Sequence, residues 1–84
     1  MPVEFLDEAW EEYIAWQSED RKTLKRINNL ILSIKRDGLD KGLGKPEHLK
    51  YQDGWSRRIN SEDRLVYTMK DNHLIIVACK NHYK

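Results

Sequence analysis

The sequence predicts one α+β domain, with a short N-terminal strand and a two-helix hairpin packed on an antiparallel sheet. Three observations carry this. Apolar residues recur at helical spacing over residues 9–34, in two blocks parted by Ser18-Glu19-Asp20. Beyond the glycine- and lysine-rich stretch 38–46 the apolar period changes to two. The length of 84 residues allows a single domain, spanning 1–84, with one core. A chain this short buries roughly 60–65% of its unfolded surface, enough for one compact core.

Val3-Glu4-Phe5-Leu6 alternates weakly and predicts the first strand. Asp7 is the expected N-cap of the first helix, and acids at 7, 8, 11 and 12 suit the positive end of its dipole. Its expected inner stripe is Ala9, Trp10, Tyr13, Ile14 and Gln17, with Trp16 on a flank. Ser18-Glu19-Asp20 supplies a new cap. Leu24, Ile27, Leu30, Ile31 and Ile34 then line one face of a second helix that ends near Asp37-Gly38. Residues 38–46 form a loop, and Glu47 to Tyr51 is a candidate short strand. Trp55 to Ile59, Arg64 to Met69 and Leu74 to Cys79 are the remaining strands, joined by polar turns at 60–63 and 70–73. The last is continuously apolar and is expected near the middle of the sheet.

Composition excludes several classes. Charged residues make up 35% of the chain and mean hydropathy is −0.83, yet three Trp and four Tyr argue against disorder. The longest apolar run, Leu74 to Cys79, falls far short of the ~20 residues that a membrane helix needs. Met1-Pro2-Val3-Glu4 carries no basic stretch and opens no apolar one, so no secretory signal and a cytoplasmic location are expected. The single cysteine, Cys79, has no internal disulfide partner and reads as a buried thiol at a strand end. The formal net charge of +1 conceals a split. Residues 1–20 carry seven acids and no Lys or Arg, whereas 21–84 carry all 15 basic residues and a balance of +8. A positive surface of that kind attracts phosphate backbones.

Two familiar motifs fail on inspection. Gly42-Leu43-Gly44-Lys45 is not a phosphate loop, because five residues separate Gly38 from Gly44 where four are required, and Pro46 follows the lysine. Cys79-x-x-His82 has no second pair at zinc-ligand spacing, so no metal or other cofactor is implied. What remains is a polar set in the second half: Glu47, Lys50, Arg57, Arg58, Arg64, His82 and Tyr83. Adjacent strand residues point to opposite faces, which puts Arg57 with Trp55 and Ile59, and Arg58 with Ser56 and Asn60. Taken singly, each has an ordinary structural role open to it, such as an ion pair or a frayed terminus.

Together they match one chemistry. Cleaving RNA without a metal uses the adjacent 2′-hydroxyl as nucleophile, and requires a base, an acid for the departing 5′-oxygen and cations for the phosphate. A carboxylate and an imidazole can serve as base and acid, each worth about 10²–10⁴ in rate. Arginine matches phosphate oxygens with a planar fork, and a tyrosine ring stacks on an unpaired base. Glu47, His82, Arg58, Arg64 and Tyr83 supply one residue of each kind.

The chain resembles the YoeB family of bacterial toxins, within the wider RelE-like group of ribosome-dependent mRNA interferases. The likeness runs through Trp10-x-x-Tyr13-x-x-Trp16-Gln17, Gly44-Lys45-Pro46-Glu47-x-Leu49-Lys50, Trp55-Ser56-Arg57-Arg58-Ile59, Arg64-Leu65-Val66-Tyr67 and Cys79-x-x-His82-Tyr83. It implies a RelE-like, microbial-ribonuclease-like fold that enters the ribosomal A site and cuts mRNA, leaving a 2′,3′-cyclic phosphate and a 5′-hydroxyl. By motif it assigns Glu47 as general base, His82 as general acid and Arg64 to the scissile phosphate. Lys50 and Arg58 become supporting phosphate contacts, and Tyr83 the aromatic that places the substrate. A cognate antitoxin that covers this surface, the ribosome with its rRNA and A-site mRNA, and a second copy in a homodimer are the implied partners. On this reading the basic 21–84 surface meets RNA, and the acidic first helix faces away or lies against a basic partner.

Two departures stand out. Lys84 follows the His82-Tyr83 pair at which the family commonly ends, and His48 stands where relatives are expected to carry Pro. A non-catalytic RNA- or ribosome-binding module on the same fold is the competing reading. It predicts that Arg-to-Ala changes matter more than loss of Glu47 or His82.

Overall fold

The computed structural model describes residues 1–81. In chain order the elements are β1 (Val3–Phe5), α1 (Asp7–Glu19), α2 (Arg21–Asp37), β2 (Glu47–His48), β3 (Trp55–Arg58), β4 (Arg64–Lys70) and β5 (His73–Ala78). The five strands form one sheet in the order β1-β5-β4-β3-β2. Strands β2 to β5 make the expected antiparallel meander. The sheet as a whole is mixed, however, because β1 lies parallel to β5, with Val3 opposite Leu74 and Phe5 opposite Ile76. The apolar character of β5 fits a strand paired along both edges, although β4 is the one at the centre.

Both helices cover one face of the sheet. Ile27, Leu30 and Ile34 of α2 are fully buried against Leu65, Tyr67, Leu74 and Ile76, as the helical stripe predicts. Asp20 caps α2 by accepting from the Lys22 and Thr23 amides at 3.0 and 3.3 Å and from the Thr23 hydroxyl at 2.8 Å. Helix α1 departs from expectation in two respects. Its cap position is Leu6, which offers no side-chain bond, and Asp7 is instead the first helical residue. Its buried residues are Ala9 and Trp16, whereas Trp10 and Ile14 remain 49% and 44% exposed. The small Ala9 lets the helix lie close to the sheet, and the Trp16 indole donates to the Cys79 carbonyl at 2.9 Å. Trp10 stays at the rim, with its ring 5.6 Å from that of Phe5 and 5.8 Å from that of Tyr13.

The 38–46 loop is held by Arg57, which is 0% exposed. Its guanidinium donates to the carbonyls of Gly38, Lys41 and Leu43 at 2.8, 2.5 and 2.8 Å. It also donates to Tyr67 Oη at 2.8 Å and Ser33 Oγ at 3.1 Å. The charge therefore sits at the C-terminal end of α2, where helix carbonyls favour a cation. Gly42 lies against this network at φ +104, and a Cβ there would run into Ser33 Oγ and the Asp37 carboxylate. No helix among the described residues is long and apolar enough to cross a membrane.

Candidate active site

Strand alternation decides which polar residues meet. On β3, Trp55 and Arg57 turn towards the helices, so Ser56 and Arg58 turn to the uncovered face. On β4, Leu65 and Tyr67 turn inwards, leaving Arg64 and Val66 on that same uncovered face. Register then aligns them across the strands: Glu47 lies opposite Ser56, and Arg58 lies opposite Arg64. Strand spacings of ~4.8 Å and ~3.3 Å per residue put the Glu47 and Arg64 Cα atoms about 12 Å apart. Glu47 and Arg64 thus border the same groove from two different strands.

The cavity at this position is an open groove of about 640 Å³, lined by Glu47, Lys50, Tyr51, Ser56, Arg58 and Arg64, with the His48–Gln52 turn as one wall. Glu47, Lys50 and Arg58 are exposed and Arg64 is half-buried. Three cations thus face one carboxylate, and α1 with its acids lies on the other side of the sheet. Among the described residues, both bonds of the Arg64 guanidinium run through NH1, to the carbonyls of Asn60 at 2.8 Å and Asp63 at 3.1 Å. Those bonds aim the side chain while leaving its Nε and NH2 edge for a ligand. Arg58 is set by its backbone: its amide donates to the Gly44 carbonyl at 2.7 Å, and its carbonyl accepts from Arg26 at 3.0 Å. The first of these bonds ties the loop preceding Glu47 directly to the strand that carries Arg58.

Arg57 is absent from the groove, since it serves the loop from the opposite face. His48 does not swing freely beside Glu47: its ring packs edge-on to Trp55 at 4.9 Å, with Nδ1 2.9 Å from the Leu49 carbonyl. His82 and Tyr83 lie outside the described residues. The chain at Asn81 sits next to Arg64, whose amide donates to the Asn81 carbonyl at 2.9 Å. Ser56 and Tyr51 also line the groove and were not singled out in the sequence. The same alternation that grouped Arg58 with Ser56 could have found Ser56. Tyr51, 96% exposed, sits in an irregular turn whose direction no periodicity gives. Cys79 is fully buried, and that burial, aided by the Glu12 carboxylate, pushes its thiol up to about 12. It is no nucleophile. Among the described residues, no three His, Cys, Asp or Glu side chains are grouped so as to hold a metal ion.

Fold and groove define a small α+β protein with an open cationic groove, bearing one carboxylate, on the face of its sheet away from the helices. A family profile described as "YoeB-like toxin of bacterial type II toxin-antitoxin system" matches residues 5–83. Toxin YoeB of Synechocystis sp. is 51% identical across 100% of this chain and 99% of its own length. Two Staphylococcus aureus structures, a YoeB–YefM complex and a YoeB dimer, are 47% and 48% identical. Each covers 99% of this chain and 98% of its own, with TM-scores of 0.91 and 0.92. The chain belongs to the YoeB-like toxins of bacterial type II toxin–antitoxin systems.

Proposed function

We propose that this toxin is a ribosome-dependent endoribonuclease that cuts mRNA in the ribosomal A site and thereby stops translation. The observation that carries the reading is the convergence of Glu47, Lys50, Arg58 and Arg64 on one groove from three different segments of chain. Glu47 takes the proton of the 2′-hydroxyl, which attacks the adjacent phosphorus. Arg64, fixed through NH1, presents its remaining N–H edge to the non-bridging oxygens as charge develops there. Arg58 and Lys50 hold the flanking phosphates. His82 returns a proton to the departing 5′-oxygen, Tyr83 stacks on a substrate base, and the products are a 2′,3′-cyclic phosphate and a 5′-hydroxyl. Every proton in this scheme moves between side chains and RNA, so it requires no cofactor.

The site belongs to a cytoplasmic protein in this account, because its substrate is the translating ribosome. An antitoxin protein whose segment lies in the groove keeps it silent, and the toxin pairs with a second copy; the likeness to a Staphylococcus aureus YoeB–YefM complex and YoeB dimer supports these two partners. The test is cell-free bacterial translation of a defined message with 5′-end mapping, with and without ribosomes, for wild type and His82→Ala. Cuts inside the A-site codon that need ribosomes and vanish in His82→Ala are expected. Translation arrested on an intact message would point instead to a non-catalytic binding module.

A further inference from the structure

We propose that Tyr51 is a stacking platform for one unpaired base of the message, beside the bond that is cut; the inference rests on the nuclease reading above. Tyr51 is 96% exposed, and it lines the same groove as Glu47, Lys50, Arg58 and Arg64. Among the described residues its side chain has no hydrogen-bond or ring partner. It contributes nothing to the core. The turn that carries it is nevertheless fixed at its base. The Leu49 amide donates to the Gly54 carbonyl at 3.0 Å, and the His48 ring holds the entry against Trp55 and the Leu49 carbonyl. Gly54 is buried at φ +132, and a Cβ there would meet the Tyr67 carbonyl and the Leu49 side chain at 3.1 Å each. Residues 50–53 between these anchors are exposed, so the ring stands on a short turn pinned at both ends.

A tyrosine has few rotatable bonds, so it loses little freedom when it meets a flat partner. A nucleobase is such a partner, and single strands are held where aromatic rings stand along a cationic groove. Lys50 and Tyr51 are consecutive, with Cα atoms ~3.8 Å apart, so ammonium and ring can take the phosphate and the base of one nucleotide. Arg58 and Arg64 stand on β3 and β4, away from that turn, and keep the scissile phosphate. The base on Tyr51 therefore belongs to a nucleotide flanking the cut. An acidic peptide would answer the cations as well, but it offers the ring no flat face; a nucleotide answers both. The platform is additional to the base contact assigned to Tyr83.

The test pairs side-chain variants with message chemistry. In single-turnover cleavage of ribosome-bound message, Tyr51→Ala is expected to raise the toxin concentration at half-saturation about tenfold. The rate at saturating toxin should stay within about threefold, because the stack is made in the bound and the reacting state alike. Tyr51→Phe keeps the ring and should restore half-saturation to within about threefold of wild type. Tyr51→Leu keeps apolar bulk without a π-face and should behave like Tyr51→Ala. Messages carrying an abasic residue at each position flanking the cut, in turn, locate the base. At one position the wild type should fall to the level of Tyr51→Ala, and Tyr51→Ala should lose nothing further. Since the ring is exposed, all three variants should melt within a few degrees of wild type. Wild-type half-saturation in Tyr51→Ala, or Tyr51→Leu matching Tyr51→Phe, would overturn the proposal while leaving the nuclease reading intact. So would losses that add at every abasic position, which would put the ring on a ribosomal base. Tyr51→Ala that cuts as wild type but escapes the cognate antitoxin would give the ring to that protein instead. A wild type that does not cut at all would remove the nuclease reading, and this inference with it.

Discussion

Arg57→Met removes the guanidinium on which the 38–46 loop is built. Tyr67 Oη keeps its bond to the Leu39 carbonyl at 2.7 Å, and Ser33 Oγ keeps its bonds to Asp37 and to the Leu43 amide. The carbonyls of Gly38, Lys41 and Leu43 each lose the bond from Arg57. A stranded buried acceptor costs about 1–3 kcal/mol, and the exposed stretch 40–42 lets water reach part of this site, so the low end applies. Three acceptors at ~1 kcal/mol each give a loss of about 3 kcal/mol. A chain of this length holds about 4–12 kcal/mol in all, so the variant is expected to survive only as a weakened fold. Urea unfolding followed by circular dichroism measures it: with a slope near 1 kcal/mol per molar, the midpoint should fall by about 3 M. Arg57→Lys should recover only part of this, because three ammonium donors cannot replace a fork that spans six acceptors. A midpoint shift below about 1 M for Arg57→Met would refute the reasoning, since it would mean that the loop reorganises into water at little cost.

Asp20 is held below its ordinary carboxylate range, first by the Thr23 hydroxyl and then by the Thr23 amide. A depressed folded value adds stability that is present above the unfolded value and lost as pH falls through the folded one. Asp20→Asn keeps one capping oxygen but loses the charge and the acceptor for the Thr23 hydroxyl, so its melting temperature should lie below wild type near neutrality, with the gap closing below about pH 4; a gap that stays constant into acid would contradict this. The Cys79 thiol should resist alkylation at pH 8 in native protein and react only through unfolding, with urea restoring a free-thiol rate; prompt native labelling would show that α1 does not cover it. Arg64→Lys should cut about 10²-fold more slowly with a melting temperature within a few degrees of wild type, because one donor of the phosphate clamp is lost while the core is untouched. Cleavage by Arg64→Lys at the wild-type rate would place the clamp elsewhere.

Much of the architecture is legible in local pattern. The stripe of Ile27, Leu30 and Ile34, the Asp20 cap and the Gly38 stop are short-range signals, and α2 follows them. The change to period two likewise gives β3 to β5 and the face on which Arg58 and Ser56 stand. Helix α1 is harder because it carries two candidate aromatic faces. Which one turns inwards depends on Trp16 finding the Cys79 carbonyl 63 residues away, a contact that no window reveals. Arg57 is the clearest case: alternation groups it with Trp55 and Ile59, but charge alone gives no hint that this side is buried or that loop carbonyls make its burial tolerable. The parallel pairing of β1 is equally non-local. The groove could be anticipated as a set of residue types, whereas the register of Glu47 on Ser56 and of Arg64 on Arg58 required the sheet.

The chemistry of the cut ends tests the central claim most directly. A single round of cleavage on ribosome-bound message, by wild type and by Glu47→Ala, yields a downstream fragment whose 5′ end can be challenged with polynucleotide kinase, with and without prior phosphatase. Attack by the 2′-hydroxyl in the Glu47–Arg64 groove predicts that the wild-type fragment labels without phosphatase, its upstream partner ends in a cyclic phosphate, and Glu47→Ala yields almost none of either. A fragment that labels only after phosphatase would carry a 5′-phosphate made by attack of water, and would contradict the account.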